Sequence, residues 1–306
     1  MIAVFNALAP VFVLILIGYA VKRFQWVDDV FWPPAERITY YVFFPALLIA
    51  SGTRADLSGD QAWPMAVALF GATLITALVA LILKPTLGLK PAAFTSFFQG
   101  AIRPNTYVGV VAAFLFWGDE GLALISIGIL AAVPLVNVLC VGVLVLWGDG
   151  HEGARTPMRA FKEVARNPLV IACLIGFSLN ALGLSLPPVI EPLMDILGRA
   201  ALPIALMAVG AGLDFPDLMA NRRVASLSSS LKLLLLPAIA WGLASWLGVE
   251  GQAFQVVLLY ATMPVSASSY VLAREMGGNA PLVAGIITAS TVAAIATMPM
   301  WILLSN

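Results

Sequence analysis

Apolar residues run through this chain in stretches long enough to cross a bilayer, separated by short polar punctuation. Taking about 20 apolar residues per span, the pattern predicts ten membrane helices, at residues 2–21, 36–53, 62–83, 92–116, 121–147, 168–186, 192–214, 224–247, 253–274 and 280–304. One sizeable polar stretch, GDGHEGARTPMRAFKEVARNP at 148–168, divides them five and five. The expected organisation is a first five-helix half at 1–147, a cytoplasmic loop at 148–167 and a second five-helix half at 168–306. The opening run MIAVFNALAPVFVLILIGYAVKRF has no basic residue ahead of its apolar core and no small-residue cleavage site. It reads as a first span and not as a removed signal peptide.

Two spans are interrupted, and they align with each other. Shifting AAFTSFFQGAIRPNTYVGVVAAFLF (92–116) by 160 positions onto QAFQVVLLYATMPVSASSYVLAREM (252–276) brings Phe94 onto Phe254, Ala101 onto Ala261 and Pro104 onto Pro264. A mid-span proline has no N–H to donate and frees the carbonyl four residues back, here that of Gly100 or Tyr260. Unpaired backbone in hydrocarbon is tolerated only where it is buried in protein or lines a cavity. A second match, FPALLIASGTRADL at 44–57 against LPIALMAVGAGLDF at 202–215, lies at an offset of 158 and pairs Pro45 with Pro203, Gly52 with Gly210 and Asp56 with Asp214. Two matches at nearly one offset point to an internal duplication.

Basic residues orient the halves. Lys22, Arg23 and Arg37 flank the first connection, Lys84 and Lys90 the third, Arg155, Arg159, Lys162 and Arg166 the fifth, Arg222 and Arg223 the seventh and Arg274 the ninth. The even-numbered connections hold only Arg54. Positive charge marks the cytoplasmic side, so both termini are expected outside. An odd number of spans per half makes the halves opposite in topology. The expected fold is an all-α polytopic membrane protein, two inverted five-helix repeats with crossed, broken helices 4 and 9.

Composition agrees: 61% hydrophobic, 10% charged and a mean hydropathy of +0.98. Formal net charge is zero, so nothing points to nucleic acid. Cys140 and Cys173 both fall in apolar spans, as packing residues do. There is no HExxH, no Asp-rich metal motif and no Gly-rich phosphate loop, and no cofactor, metal or enzymatic activity is expected. No span carries a central carboxylate, Asp56, Asp195 and Asp214 lying toward span ends, which argues against an acidic proton or sodium relay.

The chemistry is expected at the breaks. The second half-helix of each broken span starts just after its proline, and a helix N-terminus offers unpaired N–H groups and about half a positive charge. Asn105 or Thr106 can cap one and Ser266 the other, with Ser268 beside it. Two such ends form a site for an anion, most simply a carboxylate. Arg103, near the centre of its span, either contacts substrate or pairs with freed carbonyls or Gln99. Asn137 either bonds substrate or bridges two helices. Ser51, Asn6 and Asn180 read first as helix-packing residues, Ser51 being kept among the candidate substrate contacts. Arg199, four residues after Asp195, suggests an ion pair along one helix face. Lys232 is expected to reach the cytoplasmic interface, and His151 to be solvated in the polar loop.

The run Arg103-Pro104-Asn105-Thr106-Tyr107 resembles the Asn-Pro-Asn-Thr-Tyr crossing motif of the PIN auxin carriers, and the whole chain resembles a bacterial member of the auxin efflux carrier family. That resemblance implies the fold of bile-acid sodium symporters, with a scaffold of spans 1, 2, 6 and 7 and a moving part of spans 3–5 and 8–10. It also implies a homodimer joined through the scaffold and elevator-type exchange of access. Pro104 and Asn105 would form the first crossing, Asn105 contacting a substrate carboxylate, and Pro264 the second. Arg103 replaces the motif's first Asn, and its added charge suits a second carboxylate, as in the malate or malonate with which bacterial relatives are associated. The Glu that helps hold sodium in the symporters has no counterpart at 263–270. The expected function is export of small organic anions, mono- or dicarboxylates, malonate-like or auxin-like, across the bacterial inner membrane. A sodium-coupled importer and a non-transporting membrane sensor stay open as alternatives.

Overall fold

In lipid every backbone N–H and C=O must be satisfied within the segment, and a chain this apolar answers with helices. The computed structural model describes residues 2–54, 61–149 and 166–305. Readings that fall on the side chain of Asn6, on Asp56, on His151 and on Arg155, Arg159 and Lys162 lie outside the described residues. Among those described there is no strand, only one isolated bridge.

The helices are α1 (Ile2–Arg23), α2 (Trp32–Ile38), α3 (Phe44–Arg54), α4 (Ala62–Leu87), α5 (Pro91–Ile102) and α6 (Thr106–Trp147). After the polar loop come α7 (Pro168–Ala181), α8 (Ile190–Ala211), α9 (Phe215–Ala220), α10 (Arg222–Ser230), α11 (Leu236–Trp246), α12 (Gly251–Ala261), α13 (Ser268–Met276) and α14 (Ala280–Leu304). Two π-helical turns, Thr39–Phe43 and Leu231–Leu235, join α2 to α3 and α10 to α11. Helix fills most of each expected range, but it stops at Ala181 within 168–186 and at Ala211 within 192–214, and it is interrupted inside 92–116 and 253–274. Among the described residues, five segments are long and apolar enough to cross a membrane: Ala62–Leu87, Thr106–Trp147, Ile190–Ala211, Arg222–Trp246 and Ala280–Leu304.

Local chemistry sets the ends. Asn105, Asn167 and Asn279 each accept backbone N–H bonds at the start of α6, α7 and α14, which is the N-cap role short polar side chains serve best. Gly118 (φ 59, ψ −140) breaks α6 between the expected fourth and fifth spans, in backbone space essentially closed to residues with a Cβ.

Two packing groups stand out. In one, α1 lies along α8, while α3 lies against α7 and α8. Small residues let these backbones touch: a Cβ on Gly18 would collide with the Met207 backbone and one on Gly210 with that of Ile15, and Gly52 faces Gly176 in the same way. Gly176 and Gly210 stand 158 positions after Gly18 and Gly52, so the α1–α8 and α3–α7 contacts are built from corresponding glycines. In the other group, α4 packs on α6 and α11, α12 packs on α6, and α9 and α10 pack on α14, with α5 between α6, α10 and α14.

Two expectations are corrected. Asp195 pairs with Arg54 (2.9 Å), as does Glu191 (2.8 Å), and not with Arg199. Arg54, at the end of α3, reaches both carboxylates with a planar fork of donors, a better fit than a single contact along one helix. Lys232 is 1% exposed and does not reach an interface; from residue 224 it lies roughly 12 Å along the helix, too deep for its side chain to span.

Candidate functional site

Each break is complete. A proline disfavours helical backbone in the residue before it, and Arg103 is accordingly extended (φ −82, ψ 110). Residues 103–105 and 262–267 lie between helices. The two runs meet antiparallel, with Pro104 opposite Val265. The Asn105 N–H donates to the Pro264 carbonyl (2.8 Å) and the Ser266 N–H to that of Arg103 (3.3 Å). The Val265 N–H donates to Ser290 Oγ on α14 (3.0 Å). Backbone polar groups that no helix can serve are thus paired across the junction, as burial demands.

The half-helix ends are held by side chains. Asn105 Oδ1 accepts from the N–H groups of Tyr107 (3.1 Å) and Val108 (3.5 Å) at the start of α6. Ser266 Oγ accepts from the Ser268 N–H at the start of α13 (3.3 Å). At the end of α12, Lys232 Nζ donates to the Ala261 carbonyl (2.8 Å). Arg103 Nε donates to Ser268 Oγ (3.1 Å), across the two breaks. The buried Nη1 of Arg103 and Nδ2 of Asn105 have no partner, nor has the Gln99 side chain that was one expected companion of Arg103.

A cavity of about 1100 Å³ opens beside this junction. Of the expected site residues it gathers Arg103, Pro104, Thr106, Asn137, Ser266 and Ser268. Asn105 and Pro264 sit behind its wall, buried, where they build the junction. Ser51 is not at the cavity; it is buried in α3 and its hydroxyl bonds the Leu47 carbonyl of its own helix. Asn180 donates to the Thr53 carbonyl (2.8 Å), a bridge between α7 and α3.

The cavity also holds residues that sequence reasoning missed. Arg37 and Glu36 of α2, Tyr40 of the following π turn, and Arg166 just before α7 line it. Arg37 and Arg166 carried a signal, but it was read only as charge on loops. With Arg103 they give the lining, among the described residues, three guanidinium groups against the carboxylate of Glu36, and like-signed charge in a cleft concentrates the opposite ion. Tyr107, next in the motif, stacks on Phe44 of α3 at 4.9 Å between ring centres.

A polar junction inside an apolar helical body, beside a cationic cavity, is an arrangement of transport proteins, and the comparisons agree. Residues 156–302 match the family model described as membrane transport protein. The chain carries a domain of that family. It is 28% identical over 294 residues to an uncharacterized transporter of Methanothermobacter thermautotrophicus, covering 95% of each chain. It is 23% identical over 309 residues to a protein of Rhizobium meliloti named "Putative malonate transporter", covering 94% of this chain and 92% of that one. It is 28% identical over 151 residues to auxin efflux carrier component 3 of Arabidopsis thaliana, covering 47% of this chain and 24% of the carrier. The family is one of membrane transporters and not of enzymes, and its relatives include plant auxin efflux carriers.

Proposed function

We propose that the chain is a ten-span carrier exporting small organic anions across the bacterial cytoplasmic membrane, with its substrate bound where the two breaks meet. The observation that carries this is the convergence of two half-helix starts and Arg103 on one cavity. The N-termini of α6 and α13 contribute partial positive charge, which one carboxylate answers. The Arg103 guanidinium, which lines the cavity, offers a second carboxylate a charge-assisted bond. Dicarboxylates of malate or malonate size fit this best, and the name of the Rhizobium relative is in keeping with it.

In this reading the spans form two inverted five-helix repeats, 1–147 and 168–306, joined by the cytoplasmic loop 148–167, with both termini outside. Residues Gly18, Gly52, Gly176 and Gly210, paired at one offset, support the duplication. The group of α1, α3, α7 and α8 serves as the scaffold and homodimer contact, and the remaining helices carry the crossed breaks through the membrane as an elevator. Arg37 and Arg166 belong to connections assigned to the cytoplasm, so the cavity is an inward-facing one. An inside-negative potential then favours outward anion movement by about 2.3 kcal/mol per charge per 100 mV, with no coupling ion needed.

The test is flux of radiolabelled malate, malonate and indole-acetate in proteoliposomes at several imposed potentials, for the native chain and Asn105→Ala. Potential-sensitive flux that the variant lacks is the expected result. Flux that needs a sodium gradient would turn the proposal toward an importer, and saturable binding without flux toward a sensor.

A further inference from the structure

Lys232 is the most deeply placed cation described in the protein. Its side chain is 1% exposed in the π-helical turn Leu231–Leu235, midway along Arg222–Trp246. A buried ammonium costs several kcal/mol unless something negative answers it, yet the ion pairs among the described residues are those of Arg54. The elements packed on that turn are α4, α5, α10, α11 and α14. Their charged groups are Lys84 on α4, Arg222 and Arg223 at the start of α10, and Arg103 and Lys90 flanking α5. All are cations. The hydrogen-bond partner of Lys232 is the Ala261 carbonyl at 2.8 Å, the last of α12, where a helix end carries about half a negative charge. In carriers built on broken helices, such C-terminal half-helix ends and unwound carbonyls are where a coupling cation sits.

We propose that Lys232 is a tethered cation that fills the cation position of the second break, so that the site assembles without sodium or any other metal ion. This rests on reading the breaks as the transport site and adds to it the ion that completes them. The ammonium neutralises the end of α12 from within the chain, and it keeps the Ala261 carbonyl occupied while leaving the start of α13 free to face an anion. A cation that cannot leave also cannot couple substrate movement to its own gradient.

The experiment is thermal unfolding of the purified full chain in detergent, at equal ionic strength in sodium, potassium or choline chloride, for native protein, Lys232→Ala and Lys232→Met, with malonate flux measured in parallel. The native midpoint should be the same in all three salts. Lys232→Ala should unfold at lower temperature in choline and recover when propylammonium, which matches the deleted group, is added. Lys232→Met, which fills the space without charge, should not recover. Malonate flux in Lys232→Ala should fall about tenfold or more, the scale of one charged hydrogen bond, and rise again with propylammonium. A native midpoint raised by sodium over choline would overturn the proposal, and so would a Lys232→Met protein with native midpoint and flux. If neither variant folds, the native salt comparison still decides. Unfolding involves no substrate, so a mistaken substrate class would appear as absent malonate flux with the cation pattern intact.

Discussion

The two breaks occupy equivalent places in the sequence but are held by different means. The first supplies its own polar groups: Arg103 reaches the cavity, and Asn105 caps the helix that follows. The second, Thr262 to Ala267, has two small hydroxyls of its own, Thr262 donating to the Leu258 and Leu259 carbonyls and Ser266 accepting from the Ser268 N–H. It borrows a further hydroxyl from Ser290 and an ammonium from Lys232 on neighbouring helices. The difference separates two tasks. Charge that must meet a ligand stands on the break that faces the cavity, and charge that must steady the backbone is sealed behind the other. Arg103 has a donor left without a partner, whereas Lys232 is spent on a carbonyl.

Arg103→Gln makes the first break as neutral as the second and should have the largest effect. Losing a charge-assisted bond of about 1.5–3 kcal/mol corresponds to roughly 10- to 100-fold weaker malonate binding, with a monocarboxylate affected far less. Equal losses for both substrates, measured by isothermal titration, would return Arg103 to a structural role. Ser290→Ala acts on the second break alone. It strands the buried Val265 N–H, at a cost of about 1–3 kcal/mol, and should lower the unfolding midpoint in detergent while leaving the ratio of malonate to monocarboxylate affinity unchanged.

Much of this was legible in the chain. Apolar run lengths located the helices, because lipid leaves the backbone no alternative to internal pairing. Pro104 and Pro264 marked the breaks, since proline acts locally and needs no tertiary context. Of the expected site residues the cavity gathers Arg103, Pro104, Thr106, Asn137, Ser266 and Ser268. What stayed hidden depends on rotation about helix axes. Helices apolar on nearly every face do not announce which side meets a cavity, so Ser51 was placed at the site although its hydroxyl turns back onto Leu47. Arg37 and Arg166 looked like loop charges because their convergence is a matter of distance across the fold. Lys232 was misread for a different reason. The rule that lysines reach the interface fails where a helix end within the bilayer provides an acceptor, and no local pattern announces the end of α12 as its partner. The correspondence of Gly18 with Gly176, by contrast, was available in the repeated Leu-Ile-Gly at 16–18 and 174–176. It lacks a proline or a charge to draw attention, and only the contact of α1 with α8 and of α3 with α7 gives it meaning.

The caps sharpen the comparison further. Asn105→Ala removes a side chain that accepts two N–H bonds, a loss of about 1 kcal/mol, while Ser266→Ala removes a single longer bond and should cost less. Reversal of that order in paired unfolding measurements would mean that the second break relies on its own serine more than on borrowed groups.

The smallest effect belongs to Ser268→Ala, and it is informative because Ser268 touches both breaks. Its hydroxyl accepts from Arg103 Nε (3.1 Å) and lies 2.9 Å from Ser266 Oγ. If substrate replaces the serine as the partner of Arg103, deletion frees the guanidinium in the empty state without removing a contact from the loaded one. Malonate should then bind as well as in the native chain, or about twofold better, the worth of an exposed hydrogen bond of about 0.5 kcal/mol no longer competing. If the serine instead aims Arg103 at the substrate, affinity should fall by a similar factor. Titration of Ser268→Ala with malonate, set beside Arg103→Gln, therefore distinguishes an arginine released by substrate from one aimed by its neighbour.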